Sequence, residues 1–405
     1  MMIVAMALLL RAVPVCAFDR TLRVDYVFTG GRGTASIALV RMSVTEGWYG
    51  RSVNLDKLIV PGHGQIRLTD DATGKTIYLN SFSTLYQEWL ATPEAKTTIK
   101  SFENTYLLPM PEGKATIQVC LQNVIGDTIC TYAHKVVPTD ILIAHKQASD
   151  IPAKYIHKGG DPKQCIDVAI VGEGYTARER KLFFRDAQAT VDALFSYEPF
   201  KHHQKDFNFV AIVPASKQSG VSLPRKNDWR TTPFGSHFDT FYSALYLTIE
   251  QLSCVHDALD GLPYEHLIIL ANTDTYGGGG IYNSYTITTG HHEKFKPVVV
   301  HEFGHSFGAL ADEYATKNES EPYYLSDIEP WNKNITTMHD FASKWKDMID
   351  NKTEGVGLFE GAGYQSKGVW RPAEDCRMRT NEAPAFCPVC QRAIEEMIQY
   401  HLKQQ

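Results

Sequence analysis

The chain of 405 residues has no apolar run of membrane-spanning length, which takes ~20 residues, because its longest stretch, MMIVAMALLLRAVPVCAF, is broken by Arg11. It also lacks a basic stripe. The formal net charge is -6 with both signs scattered, so no nucleic acid is expected as a partner. No low-complexity tract or internal repeat occurs, and 43% hydrophobic against 21% charged residues is the composition of a globular protein rather than a disordered one. The G-x-G of Gly172 to Gly174 lacks the third glycine of a dinucleotide fingerprint, so no nucleotide cofactor is expected there. Cysteine is sparse at 8 in all.

The opening stretch reads as a signal peptide over residues 1–17, with Val15 and Ala17 as the small residues before the cleavage site. A lipid anchor on Cys16 is the less favoured reading, since Val15 is a poor residue before such a cysteine. The expected location is secreted, periplasmic or at the cell surface. An oxidising compartment lets cysteines pair. CLQNVIGDTIC looks like two strands around a turn, so a cross-strand disulfide from Cys120 to Cys130 is expected.

Two domains are expected from the length. Residues 18–140 alternate short β-type runs with turns, among them ASIALVRMSV and KATIQVCLQ, which predicts an antiparallel β-sandwich with ATGK and PEGK as hairpin turns. Gly, Pro and charge dominate the stretch after Pro138, marking a boundary before a second domain at 150–405. There, strands CIDVAIVGEGY, NFVAIVP, EHLIILAN and YNSYTITT alternate with helical patterns, as in an α/β layer. Thr176 and Glu179 form a capping box for one helix, and a second helix is expected over FDTFYSALYLTIEQLSCVHDAL.

The chemistry concentrates in KPVVVHEFGHSFGALADEY. Pro297 suits the first turn of a helix, and Val299, Val300, Phe303 and Phe307 give it an apolar face. His301 and His305, four apart, place two imidazoles on one side about one turn apart, close enough to share an ion. Zinc with an open position lowers the pKa of its water, and Glu302 beside it is placed to act as general base. With 15 histidines in the chain, H-E-x-x-H is expected by chance only roughly 0.03 times.

A third ligand must come from outside the helix, because Asp312 on a continued helix would lie ~10 Å beyond His305. Gly308 is expected to end the helix in a left-handed conformation and let ALADEY fold back, with Asp312 favoured as the ligand over Glu313. Tyr276 and GGGGIYN are candidates for a cleft edge along which an extended substrate lies, against a reading as a contact-free flexible loop. Cys376, Cys387 and Cys390 contain one C-x-x-C only, so a disulfide from Cys376 to Cys387 or Cys390 is expected rather than a zinc knuckle or redox pair.

HEFGHSFGALADEY resembles the active-site helix of the IgA-peptidase-type zinc metallopeptidases, relatives of the metzincins. IDVAIVGEGYTA resembles that family's first catalytic strand, and CRMRTNEAPAFCPVCQRAI its closing segment, so the resemblance covers most of residues 160 to 395. It implies a metzincin-like zincin catalytic domain behind the sandwich, one catalytic zinc, a protein or peptide substrate, and Met378 as a methionine turn beneath the metal. Ala311 stands where the commoner metzincin pattern has its third histidine. Two other functions remain open on sequence: a non-catalytic protein- or glycan-binding surface protein with a zinc-stabilised domain, and a zinc amidase acting on cell-wall peptide. Glu302 counts against the first, since a purely structural site has no use for a base.

Overall fold

A computed structural model describes residues 18–123, 125–316 and 323–403. The expected leader and Cys16 lie outside these residues. In the amino-terminal part, β1 (Arg20–Gly31), β2 (Thr34–Glu46), β3 (Gly64–Asp70), β4 (Thr76–Phe82), helix α1 (Leu85–Leu90), β5 (Lys100–Pro109), β6 (Ala115–Gln122), β7 (Thr128–Val136) and β8 (Ala144–His145) follow one another. They form two four-stranded sheets, β5-β1-β2-β8 and β4-β3-β6-β7, around one apolar core. Period-two burial drives this. Ala115, Ile117, Val119 and Leu121 of β6 are fully buried while the residues between them are not. All pairings are antiparallel except that of β8 with β2, which is parallel.

Two turn expectations part company. ATGK does connect the paired strands β3 and β4, with Gly74 left-handed at φ +67°. PEGK is not a hairpin, because β5 and β6 belong to different sheets and Pro111 to Lys114 cross between them. The Cys120–Cys130 disulfide also fails. Cys120 pairs with Thr131 and Cys130 with Leu121, so the two thiols sit on opposite faces and are free. A one-residue register difference reverses the face of every side chain, and the irregularity at Leu121/Gln122 introduces it.

The remainder is mixed α/β: β9 (Lys154–Lys158), β10 (Ile166–Glu173), α2 (Arg180–Leu194), β11 (Phe207–Ile212), α3 (Leu252–Ala258), β12 (His266–Ala271), β13 (Gly278–Ile281), β14 (Tyr285–Thr289), α4 (Phe295–Ser306), α5 (Lys346–Asp350), β15 (Phe359–Ala362), β16 (Gln365–Arg371) and α6 (Pro388–Leu402). One six-stranded sheet runs β13-β14-β12-β10-β11-β9, parallel through its middle with antiparallel strands at both edges. Every residue of the central strand β10 is buried, as expected when both faces are covered. Ile166, Val168 and Ile170 pack with α2, α4 and α6, whereas Ala169 and Val171 face a second core that includes α3. The capping box of Thr176 and Glu179 is present, at the 3-10 turn Ala177–Glu179 that leads into α2.

The long second helix is a correction. Of the segment 238–259 only Leu252–Ala258 is α-helical, preceded by a short 3-10 turn at Thr240–Tyr242. Asp239, Phe241 and Tyr242 are left-handed, and the backbone bonds elsewhere: His237 pairs with Thr248 and Tyr246 with Gly278. Tertiary pairing outweighs a weak helical pattern.

The two parts are firmly joined. Arg23, 3% exposed, bonds Asp25 of its own strand and reaches Asp257 Oδ1 at 2.7 Å and the Ser253 carbonyl at 2.9 Å. Ser83 N donates to the Tyr282 carbonyl at 2.9 Å, between β13 and β14. No helix among the described residues is long and apolar enough to cross a membrane.

Candidate metal centre

Helix α4 buries Val299, Val300 and Phe303, followed by Phe307, against α2 and the sheet; Phe303 and Phe307 stack 5.2 Å apart with Phe200 beside them. That fixes the opposite side of the helix, where His301 and His305 retain 15% and 14% side-chain exposure. His301 Nδ1 meets the Arg377 carbonyl at 2.9 Å and His305 Nδ1 the Leu310 carbonyl at 2.7 Å. A carbonyl only accepts, so each Nδ1 carries the proton, and in the neutral ring Nε2 presents a lone pair.

The chain turns back after α4, and Asp312 returns to the histidines. Its Oδ1 lies 3.0 Å from His301 Nε2 and 3.3 Å from His305 Nε2, and the two Nε2 atoms are 3.0 Å apart. A tetrahedral ion with ligand bonds of ~2.0–2.1 Å has ligands about 3.3 Å apart, so the triangle fits one zinc ion. Asp312 Oδ1 is buried and has no hydrogen-bond partner among the described residues, while Oδ2 accepts from the Tyr364 hydroxyl. One oxygen is tied down and the other faces the two Nε2 atoms.

The turn is made differently from the expectation. Gly308 is not left-handed; Ala309 is, at φ +56°. Gly308 is required for space, since a Cβ there would lie 2.7 Å from the Gly304 carbonyl oxygen and 3.1 Å from Ile394 of α6. Asn334, fully buried, then clamps the return by bonding both the amide and the carbonyl of Ala311 at 2.8 Å.

Electrostatics favour positive charge at this point. Burial alone depresses the His305 imidazole, but the Asp312 carboxylate overrides it and raises the pKa to about 9. Burial conversely pushes Asp312 up, and the facing imidazoles hold its carboxyl well below the usual range. Glu302 lies within 4.8 Å of both histidine nitrogens, and burial pushes its carboxyl up.

GGGGIYN is neither loose nor a free edge. Gly278–Ile281 is edge strand β13, but at Gly278 the Leu245 carbonyl and Leu247 amide already occupy its outer side. Its glycines permit close approach to α4: a Cβ on Gly280 would lie 2.3 Å from the Glu302 carbonyl oxygen, and one on Gly278 2.8 Å from Glu302 Oε1. Tyr276 is held by Asn381, whose amide donates to its hydroxyl at 2.7 Å. Met378 is fully buried against the helix turn between the histidines, its Sδ 2.7 Å from where a Gly304 Cβ would stand.

Glu313 points away from the histidines. Its Oε1 lies 3.0 Å from Cys390 Sγ, and Cys376, Cys387 and Cys390 are free thiols gathered around it. The expected disulfide is absent because the three sulfurs converge with a carboxylate on a common point rather than pairing.

Sequence reasoning missed Tyr364, left-handed at φ +68° in the β15–β16 turn, for which GAGY carries no periodic signal. Asn334 it also missed. So too Glu88 of α1, which accepts from the Tyr246 hydroxyl beside the site and whose carboxyl burial lifts to about 7.

The model of a family described as IgA Peptidase M64 matches residues 155–355 and 350–398, and that of the Peptidase M64 N-terminus matches residues 15–132. No curated protein matches the chain.

Proposed function

Because this chain belongs to the IgA peptidase M64 family and is a peptidase, we propose that it is a zinc-dependent endopeptidase with His301, His305 and Asp312 as ligands and Glu302 as general base. The supporting observation is the convergence of two imidazole Nε2 atoms and one buried carboxylate oxygen at 3.0 to 3.3 Å. His301, His305 and Asp312 would hold a zinc ion, which would supply Lewis acidity toward a water and the scissile carbonyl.

The protein residues do the rest. Glu302 takes the proton of the attacking water and returns it to the leaving amine, a transfer favoured by a carboxyl that burial has raised. The Arg377 and Leu310 carbonyls hold both imidazoles in the ligating tautomer, and Tyr364 orients Asp312. In this reading residues 150–405 form a zincin-like catalytic domain and residues 18–140 a docked β-sandwich module. The segment through Ala17 is removed as the protein leaves the cytoplasm to be secreted, periplasmic or held at the cell surface.

The test is to incubate the chain with mixed peptides and with cell-wall peptide, with and without chelator, alongside Glu302→Gln. Chelator-sensitive cleavage of the mixed peptides is expected, with activity lost at least ~10³-fold in a variant that still binds metal. Full activity of Glu302→Gln would overturn the mechanism, and cleavage of cell-wall peptide alone would make the enzyme an amidase.

A further inference from the structure

Glu313, Cys376, Cys387 and Cys390 are all buried, Glu313, Cys376 and Cys390 completely and Cys387 at 5% exposure. One ligand atom from each lies within 4.8 Å of every other. Cys376 Sγ and Cys390 Sγ are 3.8 Å apart, the edge of a tetrahedron with zinc–sulfur bonds of ~2.3 Å. Glu313 Oε1 accepts from Asn334 Nδ2 at 2.9 Å, whereas Oε2 is buried with no hydrogen-bond partner among the described residues. A carboxyl oxygen left without a partner in a fully enclosed pocket of thiols is costly unless a proton or a cation meets it.

Backbone amides face two of the three sulfurs. Cys387 caps the N-terminus of α6, its sulfur facing the Cys390 amide at 3.5 Å, and the Cys387 amide faces Cys376 Sγ at 3.2 Å. Amides and a helix N-terminus pointing at sulfur stabilise the anionic form that binds metal.

We propose that Cys376, Cys387, Cys390 and Glu313 form a second metal site, a closed structural one for a thiolate-seeking divalent cation, zinc foremost. Three soft sulfurs and one oxygen suit tetrahedral zinc and suit calcium or magnesium poorly. The burial leaves no open position for water, so this ion does no hydrolysis. It joins the loop 311–313, the turn 376–378 and the start of α6. Glu313 is next to Asp312, and the Glu313 amide donates to the Met378 carbonyl at 2.8 Å, so the ion would fix the segment that delivers Asp312 to the histidines. The proposal stands independently of what His301 and His305 bind.

The experiment uses the full chain purified without chelator. Metal content is expected to be two zinc per chain in the wild type and one in both His305→Ala and Cys390→Ser. After cobalt substitution, the near-ultraviolet thiolate-to-metal charge-transfer band should appear in the wild type and in His305→Ala and vanish in Cys390→Ser. Denatured thiol counts should show Cys376, Cys387 and Cys390 reduced. Should Cys390→Ser fail to fold, the wild-type cobalt spectrum and thiol count decide alone. A quantitative disulfide among these three cysteines, or cobalt loading without the charge-transfer band, would overturn the site. Loss of one metal in His305→Ala with the band intact separates this result from any failure of the catalytic assignment.

Discussion

Asp312 and Glu313 are neighbours in the chain, yet their carboxylates serve opposite sides of one loop: Asp312 Oδ1 lies 3.0 Å from His301 Nε2, and Glu313 Oε1 lies 3.0 Å from Cys390 Sγ. After Ala309 the chain forms no regular strand, yet of two adjacent acids one faces the histidines and the other the cysteines. Asn334 holds the loop in this register through Ala311 and Glu313.

Asn334→Ala leaves the Ala311 amide and carbonyl without their side-chain partners. Each buried group so exposed costs about 1–3 kcal/mol, so denaturant unfolding is expected to show a loss of at least ~2 kcal/mol, and metal affinity should fall with it. Wild-type stability in this variant would mean that the loop holds its register unaided.

Tyr364→Phe removes the hydroxyl that occupies Asp312 Oδ2. Loss of a bond that orients a ligand usually lowers metal affinity ~10–100-fold, read here by chelator competition at constant pH. An unchanged competition midpoint would remove Tyr364 from ligand orientation.

Gly280→Ala forces a Cβ to 2.3 Å from the Glu302 carbonyl oxygen and 2.9 Å from His305 Cβ. Overpacking of this kind costs about 1–3 kcal/mol, and displacing the helix should cut kcat by roughly 10- to 100-fold. Gly113→Ala, whose nearest neighbour is 3.9 Å away, is the control and should stay within about 0.5 kcal/mol of wild type. Equal behaviour of the two variants would show that β13 has room to move from α4.

Asp167 is 1% exposed; Asn208 Nδ2 donates to its Oδ1 at 2.8 Å, and its Oδ2 has no partner among the described residues. Burial raises its carboxyl to about 8, against the pull of Asn208. In the unfolded chain an aspartate titrates near ~3.9. Between these values the folded protein keeps a proton that the unfolded chain releases, so stability falls as pH rises, by at most ~1.4 kcal/mol per pH unit. Asp167→Asn removes that dependence, and its stability relative to wild type should grow from about pH 5 to about pH 8. A constant difference across the window would mean that Asp167 is ionised in the folded protein.

Much of this was legible because it is local. The spacing of His301 and His305 on an apolar helix, the capping box at Thr176, the alternation in β6 and the apolar run Val168–Val171 of β10 each follow from side-chain pattern within a dozen residues. What misled was local pattern without its partner. PEGK looked like a hairpin turn but joins different sheets, the segment 238–259 looked helical but spends its hydrogen bonds on β13 and His237, and Cys120 lost Cys130 to a one-residue irregularity.

The grouping of His301, Glu302 and His305 could be read from residue spacing alone, because one helical turn brings the two imidazoles together whatever surrounds it. Which acid joins them, which carbonyls set their tautomers, and the pocket that Cys376, Cys387 and Cys390 share with Glu313 emerge from the folded arrangement alone. Those relations link segments far apart in the chain through backbone direction and packing, and neither is fixed until the sheets, α4 and α6 are in place.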